Sequence, residues 1–387
     1  MASTFSILPE RGVKERWAWE TDVMTSWNGS ETRMALLDRP RVTQQVQFKA
    51  VEPAERREMM RLLAEDLDNP DTVPLWGWSA RVGASANSGT AVVTFDTERA
   101  QITTGDRVVL LNVDTGETQS MLVQSMTSTT ATMTTNLSQN IDASWVAYKA
   151  MVALIDNKSV MEWAQSAGKM SLSMQSWVEP EVEREGSAVS ITTFNSLPYL
   201  EKSALARGQE KYEFPRTITD FGIGARTIGT RHPALDIVMK RKYQVNRLTD
   251  VADADYWRLF LNTVKGNWKA FLINTQLHDM TLATDLVAAA TTMTINELDL
   301  DTLFHTNEAF KNFEILYSDG TVSQHTITGS TGAQLVTFTP ALPNDAKVTS
   351  VDKISYLLKV RMSDKLEWRH QSIWSELAFE VRTTDDG

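Results

Sequence analysis

The chain has 387 residues, a hydrophobic content of 42%, a net charge of −11 and no cysteine. The missing cysteines exclude disulfides, thiolate metal sites and cysteine nucleophiles, and the acidic balance lacks the electropositive footprint that nucleic-acid binding requires. Apolar runs fall far short of the roughly 18 residues of a membrane-spanning helix.

Met1–Glu10 shows no basic stretch followed by an apolar core, so no signal peptide is expected. At roughly 100–200 residues per domain, the length predicts two or three domains. Residues 1–39 read as an irregular N-terminal arm. Trp17, Trp19 and Trp27 fall close together in it, and Asn28-Gly29 signals a turn. Tryptophan supplies a large contact area with a polar tip, so the arm either anchors on another surface or packs on its own domain.

Residues 40–178 read as a first β-sandwich domain. Val42–Phe48 alternates like a strand, Pro53–Leu67 carries a helical apolar side through Met59, Met60, Leu62 and Leu63, and Val73–Trp78 follows as a strand. Trp76 and Trp78 lie two apart and face one side of that strand. They fit a core strand under the helix better than a platform for stacking sugars. Residues 81–148 turn rich in Thr, Ser and Val, with Gly-containing turns, and predict a β insertion. Its candidate strands are Thr90–Phe95, Arg107–Val113, Ser120–Met126, Thr129–Thr134 and Trp145–Ile155. Lys169–Trp177 alternates as a closing strand.

Residues 179–225 read as a linker, with an acidic stretch at Glu179–Gly186 and a second irregular region around Tyr212 and Phe214. Residues 226–387 repeat the first plan. A strand at Arg241–Leu248 precedes a helix whose Trp257, Phe260, Leu261 and Val264 fall at i, i+3, i+4 and i+7. Gly266 stops it, Trp268–Ile273 forms the next strand, and an insertion spans 280–353. Ile354–Met362 and Trp374–Arg382 close the domain. Arg61-Leu62-Leu63 answers Arg258-Leu259-Phe260, and Val160–Trp163 answers Lys365–Trp368. An offset of about 200 residues marks an internal duplication, not a solenoid with repeats of roughly 20–50 residues. The expected fold class is mainly β with minor α: two duplicated β-sandwich domains, each with one helix and a small β-barrel-like insertion.

No constellation for chemistry emerges. His232, His278, His305, His325 and His370 are scattered, without the helical pairing of a zinc site. Phosphate-loop and Gly-x-Ser-x-Gly motifs are absent. Asp253-Ala-Asp255 and Asp299-Leu-Asp301 read as helix-start or surface acids, since neither continues into a calcium loop. Phe221-Gly-Ile-Gly-Ala reads as a turn. The chain is therefore not expected to be an enzyme, nor to hold a cofactor or metal.

The stretch Tyr256-Trp-Arg-Leu-Phe-Leu-Asn-Thr-Val-Lys-Gly-Asn-Trp-Lys-Ala-Phe-Leu-Ile resembles the helix–glycine–aromatic-strand segment of distal tail proteins, and related tube-like tail proteins, of long-tailed bacteriophages. Trp19-Glu-Thr-Asp-Val-Met-Thr-Ser-Trp-Asn-Gly-Ser-Glu-Thr-Arg-Met-Ala-Leu is similar to the N-terminal stretch of phage tail proteins. The resemblance implies a virion protein, made in the host cytoplasm, that forms a ring at the tail tip or baseplate. The ring would join the tail tube to the hub and the receptor-binding fibres. It would contain three, six or twelve chains, with no nucleic acid and no membrane insertion. Distal tail proteins carry one such domain, so two per chain would let three chains imitate six. A sheath-like protein around a tube and a carbohydrate- or receptor-binding module are the alternatives. Residues expected at subunit contacts are Trp17, Trp19, Trp27 and Arg33 in the arm, and Tyr212 and Phe214 in the linker. Deleting Met1–Asp38 is expected to leave folded domains that assemble poorly.

Overall fold

The computed structural model describes residues 7–10, 12–25, 31–50, 56–57, 60, 70–155, 160–164, 167–184, 186–205, 208–213, 216–219, 227–230, 236–247, 249–297, 308–332, 334–371 and 374–384. It is mainly β. A first set of strands comprises β1 (Val13–Ala18), the hairpin β2 (Thr21–Thr25) and β3 (Glu31–Ala35), β4 (Arg41–Ala50), β5 (Asp71–Ala84), β6 (Val92–Phe95), β7 (Arg107–Asn112), β8 (Thr118–Met126), β9 (Thr130–Met133), β10 (Trp145–Ile155), β11 (Val160–Ala164) and β12 (Ala167–Ser176). A short connection holds β13 (Thr193–Phe194) and β14 (Leu197–Leu200). A second set follows: β15 (Gln209–Glu213), the hairpin β16 (Arg216–Thr219) and β17 (Thr227–Thr230), β18 (Asp236–Val245), helix α1 (Val251–Val264), β19 (Phe271–Asn274), β20 (Thr292–Thr294), β21 (Asn312–Tyr317), β22 (Val322–Thr331), β23 (Leu335–Thr339), β24 (Val351–Met362), β25 (Lys365–His370) and β26 (Ser375–Thr383).

The pairings of the two sets correspond. β4–β12, β5–β10, β7–β10, β7–β8 and β11–β12 have counterparts in β18–β26, β19–β24, β21–β24, β21–β22 and β25–β26. The correspondence begins earlier than the sequence reading placed it. β1 lies on β4 as β15 lies on β18: Trp17 faces Val42 and Tyr212 faces Ile237, with each residue 195 positions from its counterpart. The hairpins keep the same spacing, Thr21 facing Ala35 and Arg216 facing Thr230. The arm and the end of the linker are thus equivalent strand units, each leading its set.

The two insertions close in the same order but differ in how their cores connect. β5, β6, β9, β8, β7 and β10 pair in succession back to β5, so the first insertion is a closed barrel. Closure removes free strand edges. Val93, Phe95, Val108, Leu110, Met133 and Trp145 fill its separate core. In the second set β20, β23, β22, β21 and β24 pair in succession, and the chain after β19 closes the ring. Leu282 bridges Ile295, Met280 bridges Ile354, and the Ala283 N–H donates to the Thr294 carbonyl at 2.9 Å. Phe313, Val336 and Phe338 of this insertion belong to the main core.

Helix α1 forms as its periodicity predicts. Trp257, Phe260, Leu261 and Val264 are fully buried, and Asp250 caps the start by accepting from the Asp253 N–H at 3.2 Å. Its end differs in detail. Lys265 already takes the left-handed conformation, Gly266 follows at φ +64°, and the turn runs through Trp268. β19 therefore starts at Phe271 rather than Trp268, which is 36% exposed. Glycine suits 266 because φ there is +64° and a Cβ would also stand only 3.3 Å from the Asp364 backbone. Arg56, Arg57 and Met60 are helical; the rest of the Pro53–Leu67 expectation lies outside the described residues, as do Asp299 and Asp301. Trp76 and Trp78 are core residues at 7% and 0% exposure, which removes the sugar-platform reading.

Candidate functional site

The two sets meet at one strand. β1 alternates Val13, Glu15 and Trp17 inward with Lys14 and Arg16 outward, the period of a half-buried strand. It pairs antiparallel on both sides, with β4 of the first set and β25 of the second. One sheet results, in the order β11, β12, β4, β1, β25, β26, β18, β15. Trp17 and Trp19, expected at subunit contacts, are 0% and 3% exposed, and their partners belong to this chain. Trp17 packs on Trp368 at 5.6 Å, and the Trp19 N–H donates to the Asp364 carbonyl at 3.1 Å. The expectation for the Met1–Asp38 deletion changes accordingly. It would remove an internal strand, so it breaks the fold and not assembly alone.

Behind β1 lies a buried polar cluster that sequence reasoning missed. The Glu15 carboxylate accepts from the indole N–H groups of Trp17 and of Trp78, the latter at 3.2 Å, and stands 3.2 Å from His370 Nε2. His370 Nδ1 lies 2.8 Å from the Ser375 hydroxyl. The Arg258 guanidinium, brought in by α1, stacks 3.9 Å over the Trp78 ring and donates to the Val182 carbonyl at 2.8 Å. Gly77 is obligatory, because a Cβ there would stand 2.4 Å from the His370 ring. Burial opposes ionisation of Glu15. The His370 contact, the Trp17 N–H and the Arg258 charge outweigh it, so the carboxyl sits below its ordinary range. Burial likewise lowers His370 and brings Arg258 to about 10. The consistent state is a neutral imidazole between an ionised Glu15 and the Ser375 hydroxyl, with Arg258 supplying the countercharge.

Serine, histidine and glutamate in series resemble a nucleophile, a base and its orienting acid. Ser375, His370 and Glu15 are 0%, 3% and 1% exposed, so the hydroxyl is closed to any substrate. The cluster pins β1, β5, β25, β26 and α1 together. A second buried network ties α1 to the first barrel and the connection. Asp255 accepts from Arg184 at 2.6 Å, Ser187 at 3.0 Å and Gln101 at 2.8 Å. Asp253 pairs with Lys202 at 2.7 Å. Both aspartates are helix-start acids, one of the two expected readings; they are buried, which removes the surface alternative.

At the two ends of the sheet the situation reverses. Among the described residues, β15 pairs only with β18, and β11 only with β12. Tyr212 on β15 is 54% exposed, its hydroxyl donating to Glu210 at 3.1 Å. Arg33 on β3 pairs with Glu31 and donates to the Asn267 carbonyl at 3.3 Å, so it stays within its own chain. Trp27 and Phe214 lie outside the described residues. The structure therefore leaves Tyr212, of the expected contact residues it describes, facing outward on an open edge. Among the described residues no group of three or more His, Cys, Asp or Glu could hold a metal, and no helix is long and apolar enough to cross a membrane.

No family model matches the chain, and no curated protein matches it.

Proposed function

We propose that this chain is a self-assembling structural protein that closes head to tail into a ring, and that the ring belongs to the tail tip or baseplate of a bacteriophage, between the tube and the hub and fibres. One observation carries the assembly reading: a single sheet runs through both halves of the chain and, among the described residues, ends in two different unpaired edges, β11 and β15. An edge strand presents a row of unmet N–H and C=O groups, and addition of a strand from another chain satisfies them. Two unlike edges make a heterologous contact, which generates a ring when the rotation closes. The net charge of −11 keeps free subunits apart until such edges engage. The tail setting rests on the resemblance of the Tyr256–Ile273 stretch to distal tail and tube-like tail proteins.

Light scattering on the purified chain across a concentration series, with negative-stain images, tests the assembly. The expected result is a closed ring of three, six or twelve chains. A strict monomer at every concentration and salt overturns it.

A further inference from the structure

The ring reading leaves open which surfaces join, and the inference here rests on that reading. We propose that a second copy of this chain adds its β11 antiparallel to the free edge of β15, repeating between chains the junction that β25 makes with β1 inside one chain.

Inside the chain, β1 is gripped from both sides. β4 holds one edge and β25 the other, with Arg16 facing Glu367 and Glu15 facing Trp368. β15 is the counterpart of β1 in position and in sequence. Lys14-Glu15-Arg16-Trp17 answers Gln209-Glu210-Lys211-Tyr212, keeping the glutamate, the following cation and the aromatic. β18, the counterpart of β4, already holds the inner edge of β15. Among the described residues no strand lies on its outer edge, the place that β25 takes on β1. The counterpart of β25 is β11, which pairs with β12 as β25 pairs with β26 and has the sequence Met161-Glu162-Trp163 beside Leu366-Glu367-Trp368 of β25, displaced by two residues from the hairpin register. β11 is itself open on its far side among the described residues. Each chain thus ends in one socket and one plug of the same joint.

Charge agrees in one of two registers. Aligning Glu162 with Glu367 by sequence sets Lys211 opposite the second copy's Glu162, the same cation–carboxylate order as Arg16 opposite Glu367, whereas the hairpin register sets Lys211 opposite Val160. Charged residues on an edge strand often serve instead to repel other strands. The pattern on β15 does not have that meaning, because β1 carries the same pattern and is paired on both edges. Exposure agrees as well: Trp17 is fully buried and its counterpart Tyr212 is 54% exposed, as expected of a joint with one half absent.

The natural lack of cysteine makes the test direct. Opposed residues of an antiparallel pair have Cα atoms about 4.5–5.5 Å apart, within disulfide reach. In the β11–β12 hairpin it is Met161, across from Met170, that matches Trp368 across from Leu377, so a register moved by two residues keeps the same face. Two double variants cover both registers: Lys211→Cys with Glu162→Cys, and Lys211→Cys with Val160→Cys. Mild oxidation should give, for one of them, a ladder of linked chains on a non-reducing gel that stops at the ring number, while each single variant stays unlinked. If the Lys211–Glu162 pair is the one that links, Lys211→Glu should weaken association at least tenfold, and adding Glu162→Lys should restore it. Three results overturn the proposal: no ladder from either pair, a linked dimer from Lys211→Cys alone, or a link that forms only within one chain. Wild-type mass separates the two levels. Rings without a ladder sink the strand assignment alone, and monomers without a ladder sink the ring reading too.

Discussion

Trp17 on β1 is fully buried, whereas Tyr212, its counterpart on β15, is 54% exposed, although the strands lie on β4 and β18 in the same register. The difference comes from the second neighbour. β25 covers β1, and the cluster of Glu15, His370, Trp78 and Arg258 closes behind it. β15 carries the same glutamate–cation–aromatic order, with Glu210 held by the Arg241 guanidinium at 3.4 Å and its outer edge open among the described residues. One strand type is thus core in one place and surface in another. A tryptophan suits the first, where its area is fully used, and a tyrosine suits the second, since its hydroxyl stays hydrated in the free chain.

The comparison breaks most severely at Trp17. Trp17→Ala removes an indole packed on Trp19 and Trp368 and an N–H donor to the buried Glu15. Core Trp→Ala changes cost about 3–5 kcal/mol, a large part of the roughly 5–15 kcal/mol that stabilises a typical domain. Chemical denaturation should show a loss of that size. A loss under about 1 kcal/mol, the scale of an ordinary single substitution, would mean that β1 does not join the two sets in solution.

A smaller effect should appear with pH. The folded protein holds His370 below its ordinary pKa through burial, so the unfolded chain accepts a proton that the folded chain refuses. The stability this confers is complete above the unfolded imidazole pKa, about 6.5, and is lost as pH falls below it. Glu15 acts in the same direction at lower pH, because its folded pKa is also depressed and its contribution disappears on protonation. His325, buried against the Pro340 carbonyl, adds a similar slope, so subtraction is needed. His370→Gln should flatten the fall of melting temperature between pH 7 and pH 5 relative to wild type. Parallel curves for the two proteins would show that His370 is charged in the fold or exposed to water.

Much of the sheet was legible because its strands alternate. Trp145–Ile155 matches β10 end to end, and the i, i+3, i+4, i+7 face of α1 is the buried one. β1 escaped because charged residues surround its tryptophans, and Glu15, an inward position, breaks the apolar alternation that would have marked a strand. The signal was present in another form: Lys14–Trp17 and Gln209–Tyr212 stand 195 residues apart, at the same spacing as β4 and β18. The buried cluster was not legible. Glu15, Trp78, Arg258, His370 and Ser375 are far apart in sequence, and a glutamate that is 1% exposed looks in a sequence like any surface acid. Gly77, whose role depends on the approach of His370, carried no local sign either.

The smallest effect on the isolated chain is also the sharpest form of the comparison. Tyr212→Ala removes a half-exposed ring whose hydroxyl donates to Glu210 on its own strand. Surface changes of this kind usually stay within about 0.5 kcal/mol, so the melting curve of the dilute chain should hardly move. In the proposed joint the same ring would take the place that Trp17 fills inside the chain, and truncating a buried aromatic hot spot at an interface costs about 2 kcal/mol or more. The dissociation midpoint, followed by light scattering on dilution, should then rise by more than tenfold while stability stays fixed. A variant that loses stability and assembly together would show that Tyr212 supports its own domain. A variant that loses neither would remove the equivalence between Tyr212 and Trp17 on which the joint is built.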